Sequence, residues 1–145
     1  MQFYSLNQQS PKVSFKEAVI RGIAPDKGLY FPETISPLSK EFFQHIENHT
    51  NEEIAFEMIR QFVGNEIPEP DLKAIIEDTL CFDFPLVELE DDVFSLELFH
   101  GPTMAFKDVG GRFMARCLSY FNKKQTNEVT VLVATSGDTG GAVAS

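Results

Sequence analysis

Apolar residues recur along this chain with two different periods, and the period changes near Pro85. Up to that point they fall mostly at helical spacing. Ser14 predicts a helix running through Ile20, with Glu17 three residues on completing a capping box and Gly22 ending it. Pro25-Asp26-Lys27-Gly28 is a turn, and Leu29-Tyr30-Phe31 a short extended run. Ser36-Pro37 predicts the start of a second helix, with Leu38, Phe42, Phe43 and Ile46 on its apolar face. Asn51 is the expected cap of a third, whose face carries Ile54, Ala55, Met58, Ile59, Phe62 and Val63 before Gly64 closes it. Pro70-Asp71 opens a fourth, with Leu72, Ile75, Ile76 and Leu80. These Phe and Met stripes read as core. Beyond Pro85 the pattern alternates, and residues 86–99 read as a β-hairpin around the acidic turn Glu90-Asp91-Asp92. A helix follows to about Phe121, then a polar loop over Asn122–Asn127 and a buried strand over Glu128–Ala134. A glycine-rich turn from Thr135 to Gly141 leads into the first turn of another helix. The expected organisation is a helical domain over 1–84 and an α/β domain that begins at 85 and is incomplete at 145.

Composition bounds the function more than the fold. The 145 residues are 43% hydrophobic and 23% charged, which is the globular norm and speaks against disorder. Fourteen Phe and no Trp indicate an aromatic-rich core. A net charge of −10 argues against nucleic-acid or anionic-membrane partners. No apolar run approaches the roughly 20 residues that span a bilayer. Met1-Gln2-Phe3-Tyr4-Ser5-Leu6-Asn7 lacks the basic and apolar regions of a signal peptide. Cys81 and Cys117 lie far apart without metal-ligand spacing, so two reduced thiols in a cytoplasmic protein are expected, with no metal. One strand, a turn and a helix start leave a parallel sheet unfinished, so the rest of a longer polypeptide is the expected first partner.

The chemistry concentrates in Leu98-Phe99-His100-Gly101-Pro102-Thr103-Met104-Ala105-Phe106-Lys107-Asp108. A strand pattern precedes this run and a helix pattern follows it, so Lys107 falls at or near a helix N-terminus among apolar neighbours. A cation there opposes the helix dipole. Desolvation and the positive helix end both favour the neutral amine, the form that attacks a carbonyl. A surface lysine is the ordinary alternative, and the crowd of His100, Thr103 and Asp108 speaks against it. The second run, Thr135-Ser136-Gly137-Asp138-Thr139-Gly140-Gly141, offers backbone N–H groups and two hydroxyls as an anion cradle. It carries no Gly-Lys-Ser/Thr and so is not a nucleotide P-loop. An ordinary strand-to-helix turn is the alternative.

The lysine run resembles the pyridoxal-phosphate motif of threonine synthases. Val13 to Glu33, including Arg21-Gly22-Ile23-Ala24-Pro25-Asp26-Lys27-Gly28-Leu29-Tyr30-Phe31-Pro32, resembles that family's N-terminal signature. Val133-Ala134-Thr135-Ser136-Gly137-Asp138-Thr139-Gly140-Gly141-Ala142 resembles its substrate loop. The three motifs occur in the family's order and span the chain nearly end to end. The resemblance implies an α/β fold of the tryptophan-synthase-β-like kind (fold type II), of which this chain is the N-terminal third. It implies that Lys107 binds pyridoxal 5'-phosphate (PLP) covalently and moves protons, with Asp108 beside it at the cofactor. It implies that Thr135, Ser136, Gly137, Asp138 and Thr139 bind the substrate, with Ser136, Thr139 and the Gly137 backbone gripping its carboxylate. Asp138 caps the helix or meets a donor on substrate or cofactor. The implied reaction converts O-phospho-L-homoserine and water to L-threonine and phosphate, and the piece alone is expected to be inactive. The alternatives are a related phospho-lyase and a non-catalytic interaction module. Groups holding the cofactor phosphate and pyridine nitrogen are expected beyond Ser145. The Ser-Thr-Arg common near the N-terminus of relatives is replaced by Ser5-Leu6-Asn7-Gln8.

One further histidine and two i, i+4 pairs carry polar or charged side chains outside these runs. His100 reads as a ring that holds its turn by hydrogen bonding, with general acid as the alternative. His45 and His49, four apart, read as a polar helix face rather than half a metal site. Arg112 and Arg116, also four apart, either meet a phosphate or pair with acidic groups.

Overall fold

The computed structural model describes residues 1–123 and 130–144. They form two compact units, Met1–Ile76 and Glu77–Ser145.

The first unit is built on a small sheet and four α-helices. Strand β1 (Phe3–Ser5) pairs antiparallel with β2 (Tyr30–Pro32), and Phe3 also bridges to Val13. Helix α1 (Phe15–Arg21) opens on Ser14, whose hydroxyl accepts from the Glu17 N–H. Only half of the expected capping box forms, because Glu17 reaches forward to Arg21 at 2.5 Å. Gly22 ends the helix at φ 69°, in the left-handed region that a Cβ disfavours.

The second helix starts later than its Ser36-Pro37 signal. Helix α2 (Lys40–Gln44) is capped by Ser39, whose hydroxyl accepts from the Phe42 N–H, and a 3₁₀ turn (Ile46–Asn48) follows. Ser36 instead donates its N–H to Gln61 Oε1. Helix α3 (Asn51–Val63) takes Thr50 rather than Asn51 as its cap. There the Thr50 hydroxyl and the Glu53 carboxylate close a full capping box, which satisfies two orphan N–H groups where one Asn would satisfy one. Helix α4 (Glu69–Thr79) opens one residue before Pro70. The unit's core is Phe3, Val13, Phe15, Phe56, Val63, Ile67, Leu72, Ile75 and Ile76.

Asp26 ties the N-terminal residues to the turn before β2. Its carboxylate accepts from Ser5 Oγ at 2.6 Å, Gln9 N at 2.9 Å and Gly28 N at 3.0 Å. Asn7 Nδ2 donates to the Asp26 carbonyl. Ser5 is fully buried, and a Cβ at Gly28 would collide with its hydroxyl. These bonds, the one from Ser5 foremost, hold the Asp26 carboxyl down to about 2. A depressed carboxyl stabilises the fold above its unfolded value near 4, and this contribution is lost as pH falls towards 2. Thermal unfolding between pH 4 and 2 is therefore expected to depend less on pH in Asp26→Asn than in the unaltered chain. Equal slopes would mean that other carboxylates control acid unfolding.

The second unit holds the hairpin, a long helix and a short one. Strands β3 (Leu86–Glu90) and β4 (Val93–Leu96) pair antiparallel with a register shift between Glu88 and Glu90. Asp92 turns the corner at φ 63°. Helix α5 spans Lys107–Asn122 and α6 spans Asp138–Ala144. Both sheets of the described residues are two-stranded and antiparallel, as in an α/β domain with only part of its elements. Residues 130–134, expected to finish a buried strand, have no strand partner among the described residues and are solvent-exposed, Leu132 at 91%. A lone extended segment leaves its ladder groups to water, so alternation and β-branching alone do not make a strand. Glu128, Val129 and the loop positions 124–127 lie outside the described residues.

Helices α5 and α6 meet at a glycine. A Cβ on Gly111 would lie 2.9 Å from the Ala142 carbonyl oxygen, whereas one on Gly110 would meet nothing. Gly111→Ala is thus expected to cost about 1–3 kcal/mol by forcing the helices apart. Gly110→Ala should add about 0.4–1 kcal/mol by restricting the unfolded chain. Urea unfolding monitored by circular dichroism checks both signs.

Candidate functional site

Residues 101–106 form the turn that delivers Lys107 as the first residue of α5. Asp108, one residue on, is fully buried. Its two carboxylate oxygens are taken by Thr103: the N–H donates to Oδ2 at 3.0 Å and the hydroxyl donates to Oδ1. Gly101 is required beneath it, since a Cβ there would run into the Asp108 carboxylate. Met104 adopts φ 56°, with its N–H bonded to the Gly101 carbonyl. Asp108 therefore folds the turn under the helix start and fixes the direction in which the Lys107 side chain leaves.

The Lys107 amine lies 4.4 Å from the centroid of the Phe106 ring and 3.7 Å from Asp138 Oδ2. The side chain is one-third exposed, so it is neither enclosed in apolar surroundings nor free in water. It stands on the wall of a cleft of about 330 Å³ lined by Phe106, Gly110, Met114, Thr139 and Val143 among others. This lining is mainly apolar with a few polar groups, the usual make-up of a small-molecule site. Within the described part of the second unit, the two runs singled out in the sequence thus face each other.

The loop from 135 to 139 is partly self-satisfied. Gly137 donates its N–H to Thr135 Oγ1 at 3.2 Å, so this group serves the loop itself. The Thr135 methyl sits where a side chain on Gly140 would be. The Gly137 carbonyl accepts the Gly141 N–H at 2.8 Å as α6 begins. Ser136 is exposed, and Thr139 lines the cleft.

The remaining polar residues take structural parts. His100 Nε2 lies 2.6 Å from Glu97 Oε2, and its ring stacks on Phe99. His49 lies 3.4 Å from Glu53 and stacks on Phe42, while His45 follows the end of α2, so the two do not share a helix face. No group of metal-binding side chains occurs among the described residues. Arg112 and Arg116 both turn to Asp78: Arg112 Nη2 donates to its carbonyl at 2.9 Å, and Arg116 Nε donates to its carboxylate. The Arg116 hydrogen bond, with the charge of both guanidiniums, holds the Asp78 carboxyl below its usual range. Cys81 and Cys117 are both free thiols; burial pushes the Cys117 thiol up to about 12, which makes it inert. Neither the Ser5–Asp26 network, 21 residues apart, nor the Asp78–arginine network, 34 and 38 residues apart, has a local sequence signal.

Residues 2–80 match the family model described as the threonine synthase N terminus. The chain belongs to the threonine synthase family. The threonine synthase of Haemophilus influenzae is 38% identical over 151 residues, which cover 99% of this chain and 33% of that one. The crystal structure of threonine synthase from Escherichia coli superposes with a TM-score of 0.91 at 40% identity, covering 99% of this chain and 33% of that one. A PLP-bound threonine synthase from Brucella melitensis gives 0.90 at 35% identity, covering 99% and 32%. The chain thus spans about a third of the length of the threonine synthases it matches. Its fold is that of their N-terminal region, an incomplete α/β domain with small sheets.

Proposed function

We propose that this chain is the N-terminal third of a cytoplasmic threonine synthase that converts O-phospho-L-homoserine and water to L-threonine and phosphate with PLP. The observation that carries the reading is that Lys107 and Thr139 line the same cleft. Family membership and the PLP-bound relative support it. The residues fit the cofactor: the amine is accessible, the cleft is mainly apolar, and Gly110 leaves room beside it. Two free thiols and a net charge of −10 suit the cytoplasm and a small-molecule substrate. Among the described residues no helix is long and apolar enough to cross a membrane.

When bound, PLP supplies an electron sink that acidifies bonds next to the substrate nitrogen. Lys107 would hold the cofactor covalently and, as a free amine, would take and return protons at the substrate carbons. Asp108 serves the cofactor site indirectly, by fixing the turn that aims Lys107. The hydroxyls of Ser136 and Thr139 orient the substrate carboxylate on a loop whose shape Thr135 and Gly137 maintain. The reading includes a helical domain over 1–84 and the start of the cofactor domain over 85–145, completed by the rest of the polypeptide.

In the complete protein, Ser136→Ala and Thr139→Val are each expected to weaken substrate binding by roughly 1.5–3 kcal/mol, the worth of a hydrogen bond to a charged group. PLP affinity should change little. Separate titrations of substrate and PLP test this; lost PLP with unchanged substrate affinity would assign the loop to the cofactor. A chain with no visible absorption band in the presence of PLP would favour an interaction module.

A further inference from the structure

We propose that Asp138 is the counter-ion that positions the Lys107 amine, so that the loop bearing Asp138 and the charge on Lys107 are coupled. The consequence for catalysis rests on the reading above; the ion pair itself does not. Asp138 Oδ2 lies 3.7 Å from Lys107 Nζ although the Asp138 side chain is 72% exposed. Backbone register accounts for the pairing. Lys107 and Gly111 are four apart on α5, and Asp138 and Ala142 are four apart on α6. Residues four apart share a helix face. The tight Gly111–Ala142 approach therefore brings Lys107 and Asp138 together one turn earlier, at the two helix starts. Both starts carry positive partial charge, which disfavours an ammonium and favours a carboxylate. Asp138 offsets this for Lys107. Its carboxylate is not used in the opening bond of α6, which runs from the Gly141 N–H to the Gly137 carbonyl.

Three other charged groups of the second unit are engaged elsewhere. Asp108 turns to Thr103, Arg112 to Asp78, and Glu97 to His100. The pairing also resolves a conflict in the loop. A carboxylate beside Ser136 and Thr139 would repel a substrate carboxylate, and an adjacent ammonium cancels that charge. Lys107 can do so only as a free amine, so the loop would seat a substrate carboxylate best when Lys107 is not bonded to the cofactor.

The test is reductive methylation of the chain with formaldehyde and cyanoborohydride at pH 8, read at Lys107 by peptide mass spectrometry with the other lysines as internal reference. Asp138→Asn is expected to raise Lys107 labelling at pH 8 two- to fivefold relative to those lysines, because the amine loses the carboxylate that holds it. Asp138→Glu should restore the original labelling. Unchanged or slower labelling of Lys107 in Asp138→Asn, or labelling in Asp138→Glu equal to that in Asp138→Asn, would overturn the proposal. Circular dichroism of each variant establishes that the fold is retained. The reagents need no cofactor, so failure here leaves the proposed reaction standing. Failure of PLP to label Lys107 would reject that reaction and leave the ion pair.

Discussion

Lys107→Ala in the complete polypeptide is expected to abolish covalent PLP attachment and to lower kcat by at least about 10³. Two losses combine. The amine that forms the covalent bond is gone, and so is the group that carries protons at the substrate carbons. A positioned acid–base group alone contributes about 10²–10⁴. Lys107→Arg should be no better, because a guanidinium stays protonated and cannot attack an aldehyde. The variant protein should still fold, since the Lys107 side chain is one-third exposed and its partner Asp138 is largely in water. Visible absorbance and turnover of O-phosphohomoserine, measured on the same preparation, check the prediction. Retained absorbance with lost turnover would place the covalent bond elsewhere.

Asp108→Ala should have the largest effect on stability at the site. The carboxylate is fully buried and accepts two hydrogen bonds from Thr103. Its removal strands both donors beneath α5 and opens a void beside Gly101. Hydrogen bonds to charged groups contribute about 1.5–3 kcal/mol, so a loss of roughly 2–4 kcal/mol is expected. Asp108→Asn keeps the shape and one acceptor and should cost less. Urea unfolding gives the stability change, and hydrogen exchange over 101–108 should rise first. Unchanged exchange there would mean that the turn holds without the carboxylate.

Local signals in the sequence were legible where one interaction decides the outcome. Ser14 and Gly22 bound α1, Gly64 ends α3, and the acidic turn at Asp91-Asp92 closes the hairpin. Where two caps compete, the sequence points to the wrong one. Asn51 and Ser36 are both good cap residues, but Thr50 wins through reciprocal bonding with Glu53, and Ser39 through its bond to Phe42. Non-local structure was the least legible. The β1–β2 pair joins residues 25 to 29 apart in sequence, and neither segment alternates for long enough to announce itself.

The site shows the same division. Lys107 was legible from its flanking patterns, because a turn between strand and helix signals places it at a helix start. Asp108 stands beside it in sequence but turns under the helix to Thr103, and only the close approach of Gly101 reveals this. The choice left open for Arg112 and Arg116 is resolved by Asp78, which sits 34 and 38 residues earlier at the end of α4. The expected strand over 128–134 depends on pairing partners, and such partners cannot be read from the segment itself.

Lys107 is proposed as the residue to which PLP attaches. Borohydride reduction of the PLP-treated complete protein, followed by peptide mass mapping, tests this attachment. A pyridoxyl group on the peptide carrying Lys107 is expected. A pyridoxyl group on Lys123 or any other lysine, with Lys107 unmodified, would contradict it.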